Sequence, residues 1–215
     1  MSTIPLEHVY REPDGDSDGQ TVVVLHGRGA DEQDLLPVAG QLPDGYHVVS
    51  LRAPDQLMGG YTWYELDLSG GGLESSQPHP EEFRRSLDAV SESIDGAVEQ
   101  YGLDPGHIGL LGFSQGAIMT LALLLEAPSH YRWAAAHHGY LADSHADLDP
   151  DGIAEKPVFV AAGTADQIIP AGRSEGAADR LRELGADVTF GAYETGHGVG
   201  RQELQDLVAF VTAQH

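Results

Sequence analysis

The 215-residue sequence predicts an α/β fold with a mostly parallel central sheet of about seven strands and helices on both faces. Three observations carry this expectation. Short β-branched or apolar runs alternate along the chain with amphipathic segments at helical spacing. The strand-like runs are almost continuously apolar, as strands covered on both faces must be. Hydrophobic residues make up 41% and charged residues 21%, so the chain is neither disordered nor fibrous, and its length suits one domain spanning 1–215.

Taken in order, 6–11 and 21–25 read as strands joined by a polar loop, an antiparallel pair. A short helix over 31–42 opens with acidic residues that suit the positive end of its dipole, and 46–51 is the next strand. The stretch 53–80 holds glycine pairs and prolines and reads as one long loop flanking the functional site. The longest helix, 81–101, carries Phe83, Leu87, Val90, Ile94 and Val98 on one face and ends at Gly102. A buried strand over 108–113 runs into an apolar helix over 115–125. Strands at 133–137, 158–162 and 188–193 and helices at 172–184 and 202–213 complete the chain.

The charge balance is unusual. Asp and Glu number 34 against 11 Lys and Arg, for a formal net charge of −23, and Lys156 is the sole lysine. Such a surface repels phosphate backbones and anionic lipid, which argues against nucleic-acid and membrane-surface partners. It resembles the surfaces of proteins from salt-accumulating halophiles, where dense cations screen the self-repulsion. There is no cysteine, so a thiol nucleophile and Cys-ligated zinc are excluded and serine must serve in any covalent catalysis. The first residues lack the pattern of a secretory signal and no apolar stretch is long enough to span a bilayer, which predicts a soluble, cytoplasmic protein.

The reactive groups of such a sheet belong in turns at the carboxyl ends of its strands. Gly112, Phe113, Ser114, Gln115 and Gly116 match the nucleophile-elbow pattern, in which a serine sits on a strained strand-to-helix turn between small residues. A hydroxyl needs a base, and the base needs a third group to fix its tautomer. In the expected chain order, Ser then acid then His, the earlier histidines His8, His26, His47, His79 and His107 are excluded. His197 follows the last strand in a glycine-flanked turn and is the expected base; Asp166, just past the strand at 158–162, is the expected acid. The backbone N–H of Gln115 is one expected oxyanion donor, and the loop 26–30 should supply the second. His26 is read as a turn-stabilising side chain.

Together the stretches LHGRGADEQDLLP, RAP, WYELD, GFSQGA, GTADQIIP and GHG resemble, in order and spacing, the phospholipase/carboxylesterase branch of the α/β-hydrolase superfamily, the relatives of acyl-protein thioesterases. The resemblance implies an α/β-hydrolase fold, a triad of Ser114, Asp166 and His197, oxyanion donors at the Arg28 and Gln115 N–H groups, and an acyl groove near Trp63. Trp63 and Tyr64, together with Ile169, are expected to contact substrate; the alternative for the two aromatics is ordinary core packing. Where the family usually has Ser-Gly after the fifth strand, this chain has His137, His138 and Gly139. His138 is assigned to pocket lining or packing over a role as metal ligand or auxiliary base.

The expected activity is therefore hydrolysis of carboxylic esters or thioesters of small to medium acyl groups through an acyl-enzyme, with no cofactor and no metal. Lysophospholipase or acyl-protein thioesterase specificity, and a catalytically silent binding protein of the same fold, are the alternatives; a homodimer stays open. The Asp-rich runs 14–19 and 147–152 begin like calcium loops but lack the closing glutamate, so solvated acidic loops are expected.

Overall fold

The computed structural model describes residues 3–13, 15 and 19–214. Its seven-stranded sheet comprises β1 (His8–Arg11), β2 (Thr21–Leu25), β3 (His47–Leu51), β4 (Ile108–Phe113), β5 (Trp133–His137), β6 (Pro157–Gly163) and β7 (Asp187–Tyr193). The spatial order is β1-β3-β2-β4-β5-β6-β7. All neighbours run parallel except β1, which lies antiparallel on β3 with His8 opposite Leu51. The expected β1–β2 hairpin is therefore not formed. All five residues of β2 are buried, and it takes two parallel partners; the half-exposed β1 is left to the sheet edge, where strands with weaker burial belong.

Helices α1 (Leu36–Ala39), α2 (Pro80–Tyr101), α3 (Gln115–Glu126), α4 (Ala171–Glu183) and α5 (Arg201–Thr212) cover the sheet. Alternation along the strands divides the core in two. Val23, Leu25, Leu110 and Val160 pack with α2, α3 and α4, whereas Val22, Val24, Leu111 and Phe159 pack with α1 and α5. Helix α3 is buried along its length from Gln115 to Leu125, which fixes the start of the helix against the sheet.

Two segments differ from the sequence expectation. Only Leu36–Ala39 of 31–42 is α-helical, the residues before it forming turns, with Pro37 unable to donate an intrahelical bond. The stretch 53–80 is not a bare loop: Asp55–Leu57 pairs with Gly60–Thr62, and Leu66–Asp67 with Gln77–Pro78. The calcium-loop-like run 14–19 lies outside the described residues apart from its glycines. In the second run, Asp147, Asp149 and Asp151 are exposed. No helix among the described residues is long and apolar enough to cross a membrane.

Candidate active site

β4 delivers Ser114 at its carboxyl end and α3 begins at the next residue. Ser114 has φ +55° and ψ −116°, a conformation that L residues rarely adopt. The flanking glycines make it reachable. A Cβ on Gly116 would stand 2.0 Å from the Leu25 carbonyl oxygen, and one on Gly112 2.2 Å from the Gly116 oxygen. The turn is further held by the Ser114 N–H donating to the His137 carbonyl at 2.9 Å.

Asp166 follows β6 and His197 follows β7, so the parallel strands β4, β6 and β7 present all three groups at one end of the sheet. The Ser114 hydroxyl lies 2.9 Å from His197 Nε2, and His197 Nδ1 lies 2.7 Å from Asp166 Oδ2. Asp166 is fixed from its other side by the Ile168 and Ile169 N–H groups, which donate to Oδ1 at 2.8 and 3.0 Å. Burial pushes the Asp166 carboxyl up, but the hydrogen bonds from His197, the two N–H groups and His138 outweigh it and hold the pKa below the ordinary value.

Gln115, as the first residue of α3, has no intrahelical acceptor for its N–H. Its side chain braces the neighbouring segment: Oε1 accepts from Thr62 Oγ1 and the Trp63 N–H at 3.0 and 3.2 Å, and Nε2 donates to the Tyr64 carbonyl at 2.8 Å. The turn after β2 that carries Arg28 is strapped down in turn, with the Gly29 N–H donating to Tyr61 O at 2.7 Å and the Tyr61 N–H to Ala30 O at 2.8 Å. His26 sits beneath it, bonded through Nδ1 to Gly27 O at 2.7 Å and accepting from the Ala53 N–H at Nε2. Burial lowers its pKa, in keeping with a neutral ring.

A cavity of about 320 Å³ opens beside Ser114 and His197, bounded by Arg28, Gln115, Ser76 and Tyr140 and by the apolar side chains of Leu66, Leu73, Ile118, Ile168 and Ile169. Tyr140 is held by its hydroxyl on Ser76 O at 2.7 Å and by the Arg173 guanidinium over its ring. A larger groove of about 730 Å³ lies near Ile108, at the amino end of β4 and away from Ser114; its acidic wall includes Asp88, Asp95 and Glu126.

Ile169 thus reaches the cavity, whereas three expected contacts do not. Trp63 and Tyr64 are completely buried: the indole donates to His26 O at 2.8 Å, and the Tyr64 ring packs on Phe83. Glycines near them in sequence suggested exposure, yet the small strand pairs of 53–80 fold these rings into the core. His138 is also fully buried and stands behind Asp166, with Nδ1 3.1 Å from Asp166 Oδ2 and Nε2 3.2 Å from Glu203 Oε2. Glu203, on the first turn of α5 and completely buried, has no motif that would single it out in the sequence. Its other oxygen meets His137 Nδ1 at 2.6 Å. His138, Asp166 and His197 are the one group of ligand-type side chains among the described residues whose atoms lie within 4.8 Å of one another.

The profile of the phospholipase/carboxylesterase family matches residues 9–215. Acyl-protein thioesterase 1 of Gibberella zeae is 28% identical over 84% of this chain and 76% of its own length. The Bacillus cereus carboxylesterase structure superposes with a TM-score of 0.86 at 26% identity, over 98% of this chain and 95% of that one. Esterase PE8 gives 0.84 at 25% identity, over 98% and 99%. With an α/β-hydrolase sheet and a match running over nearly its whole length, the chain belongs to the phospholipase/carboxylesterase family.

Proposed function

We propose that the protein is a serine hydrolase that cleaves carboxylic esters or thioesters of small to medium acyl groups through an acyl-enzyme. The observation that carries this reading is the continuous line from the Ser114 hydroxyl through His197 to the Asp166 carboxylate, with links of 2.9 and 2.7 Å. His197 takes the hydroxyl proton as Ser114 Oγ attacks the acyl carbon, and Asp166 stabilises the imidazolium that forms. The Arg28 and Gln115 N–H groups hold the oxyanion; donors of this kind contribute roughly 3 to 4 kcal/mol of transition-state stabilisation. His197 then protonates the leaving alcohol or thiol. Water, deprotonated by the same imidazole, attacks the acyl-enzyme and releases the acid.

The cavity volume of about 320 Å³ lies at the small end of ligand pockets, and its apolar wall suits a short or medium acyl chain. A net charge of −23 disfavours anionic lipid surfaces, so neutral soluble esters are the preferred class over lysophospholipid aggregates. The same charge, with a single lysine, supports a surface adapted to a salt-rich cytoplasm. Ile169 lines the acyl side of the cavity.

The test is labelling by a fluorophosphonate probe together with hydrolysis of a chain-length series of p-nitrophenyl esters and acyl thioesters in molar KCl. Labelling that disappears in Ser114→Ala, with activity falling off beyond medium chains, is the expected result. A wild-type protein that neither labels nor hydrolyses would replace the enzyme with a binding protein of the same fold.

A further inference from the structure

His138 has a backbone φ of +53°, one of four non-glycine residues with positive φ among those described. Such a conformation persists only where the surroundings impose it. Here the His138 N–H donates to Ala161 O at 2.9 Å on the neighbouring strand, and the ring is completely enclosed. Each ring nitrogen faces a carboxylate oxygen, Asp166 Oδ2 at 3.1 Å and Glu203 Oε2 at 3.2 Å. A neutral imidazole has one N–H, so its other nitrogen would point a lone pair at an anion. With both carboxylates ionised, only the doubly protonated ring satisfies both contacts.

The groups around this ring come from every element packed on it. Asp166 follows β6, Glu203 lies on α5, His137 ends β5 and meets the far oxygen of Glu203, and His197 crosses edge-on with ring centroids 5.7 Å apart. The Phe113 ring, at 5.6 Å, adds no charge. Glu203 also accepts the Gly200 N–H at 3.2 Å, so its carboxylate is held by two imidazoles and the start of its own helix.

We propose that His138 is a positioning residue, a buried imidazolium clamped between Asp166 and Glu203, which aims the Asp166 carboxylate at His197 and offsets part of its charge. This rests on the reading of Ser114, His197 and Asp166 as the reacting groups. The consequence is that Asp166 shares its negative charge between two rings, and removing His138 leaves that charge to His197 alone. In a chain of net charge −23, whose field favours protonation everywhere, a local buried cation opposes that tendency where it matters.

Two further facts agree. Burial pushes the His138 pKa down, yet the hydrogen bonds and charges of Glu203 and Asp166 outweigh it and raise the value above the ordinary one. The clamped cation also accounts for the Glu203 carboxylate, each of whose oxygens meets an imidazole nitrogen.

The experiment compares pH profiles of kcat/KM for p-nitrophenyl butyrate in wild type, His138→Gln and Glu203→Gln, alongside ¹⁵N NMR of the wild-type histidine rings. His138→Gln should move the acid limb up by about 0.5 to 1 pH unit. Glu203→Gln, which removes an anion and leaves the imidazolium to Asp166 alone, should move it down, and both nitrogens of His138 should read as protonated in the wild type from about pH 6 to 8. An acid limb that stays in place in both variants, with only the amplitude reduced, would leave His138 a packing residue and overturn the proposal. So would a neutral His138 tautomer at pH 7, which decides the matter even if neither variant folds. Failure of the underlying triad is read separately, as hydrolysis that survives Ser114→Ala or His197→Ala.

Discussion

Glu32 and Arg52 meet in a two-point ion pair, Nε to Oε2 at 2.5 Å and Nη2 to Oε1 at 2.6 Å. The Arg52 guanidinium also lies 4.7 Å above the Tyr61 ring. The pair therefore joins the segment just after the β2 turn to the one leaving β3, and Tyr61 carries the backbone strap on Gly29 and Ala30. Arg52→Lys keeps the charge but loses the fork and the stacking. A loss of about 2 kcal/mol in urea unfolding is expected, with kcat reduced more than KM is raised, because the turn that carries Arg28, whose N–H is a proposed oxyanion donor, is loosened. An unchanged kcat would separate this pair from the proposed oxyanion turn.

Gln115→Ala separates the backbone of that residue from its side chain. The N–H survives, while the Thr62 hydroxyl, the Trp63 N–H and the Tyr64 carbonyl each lose a buried partner. Thermal and urea unfolding should show about 2 to 3 kcal/mol of destabilisation. Labelling of Ser114 at low temperature should persist, since the expected donor at position 115 is main chain.

Two glycines should respond oppositely to the same change. Gly116→Ala drives a methyl group onto the Leu25 carbonyl oxygen, at 2.0 Å in the present geometry. Destabilisation of at least about 3 kcal/mol and poor soluble yield are expected. Gly176→Ala, in α4 with open space around the added carbon, should instead stabilise by about 0.5 to 1 kcal/mol. Urea midpoints of the two variants check both signs.

Stability should pass through a maximum in pH, with Glu203 and His138 setting its two sides. Burial pushes Glu203 up, but hydrogen bonds from His137 and His138 outweigh it and hold the carboxyl at about 2, below its ordinary 4.5. Its contribution is complete above about pH 4.5 and fades as pH falls toward 2. His138 is raised, so its contribution is complete below about pH 6.5 and fades as pH climbs through the folded value. Calorimetry should place the highest Tm between about pH 5 and 6.5 for this cluster, and Glu203→Gln should flatten both flanks.

Salt gives a further lever. A net charge of −23 spread over the surface is self-repulsive at low ionic strength, where the screening length is about 10 Å at 0.1 M and about 3 Å at 1 M. Tm should rise steadily from 0.1 to 2 M KCl. An equal osmolality of sucrose should not reproduce the gain, since it screens nothing.

Much of the scaffold could be read in advance because its signals are local. The β5 strand at Trp133–His137 and the long helix α2 follow from runs and spacings within a few residues. The serine turn announces itself through two glycines, and Asp166 and His197 through their positions after strands. What was not legible depends on contacts between distant segments. Nothing near Glu203 signals that its carboxylate will be enclosed between His137 and His138, more than sixty positions earlier. Arg52 looks like any strand-end cation until Glu32 is seen beside it. Trp63 and Tyr64 mislead for the converse reason: neighbouring glycines describe the backbone's freedom, not the depth at which an attached ring will lie. Closeness in sequence suggests that β1 pairs with β2, yet the more apolar β2 takes β3 and β4 as partners and leaves β1 on β3 at the edge.

The separation of Ser114 from His197 has a bearing on synthesis at the ribosome. Under the proposed chemistry, a growing polypeptide carries its hydroxyl through 83 further residues before the imidazole that activates it exists, and three more strands must join the sheet before the pair can meet. Nascent and half-assembled chains are therefore inert toward the cell's own esters, and hydrolytic power switches on only with completion of the fold.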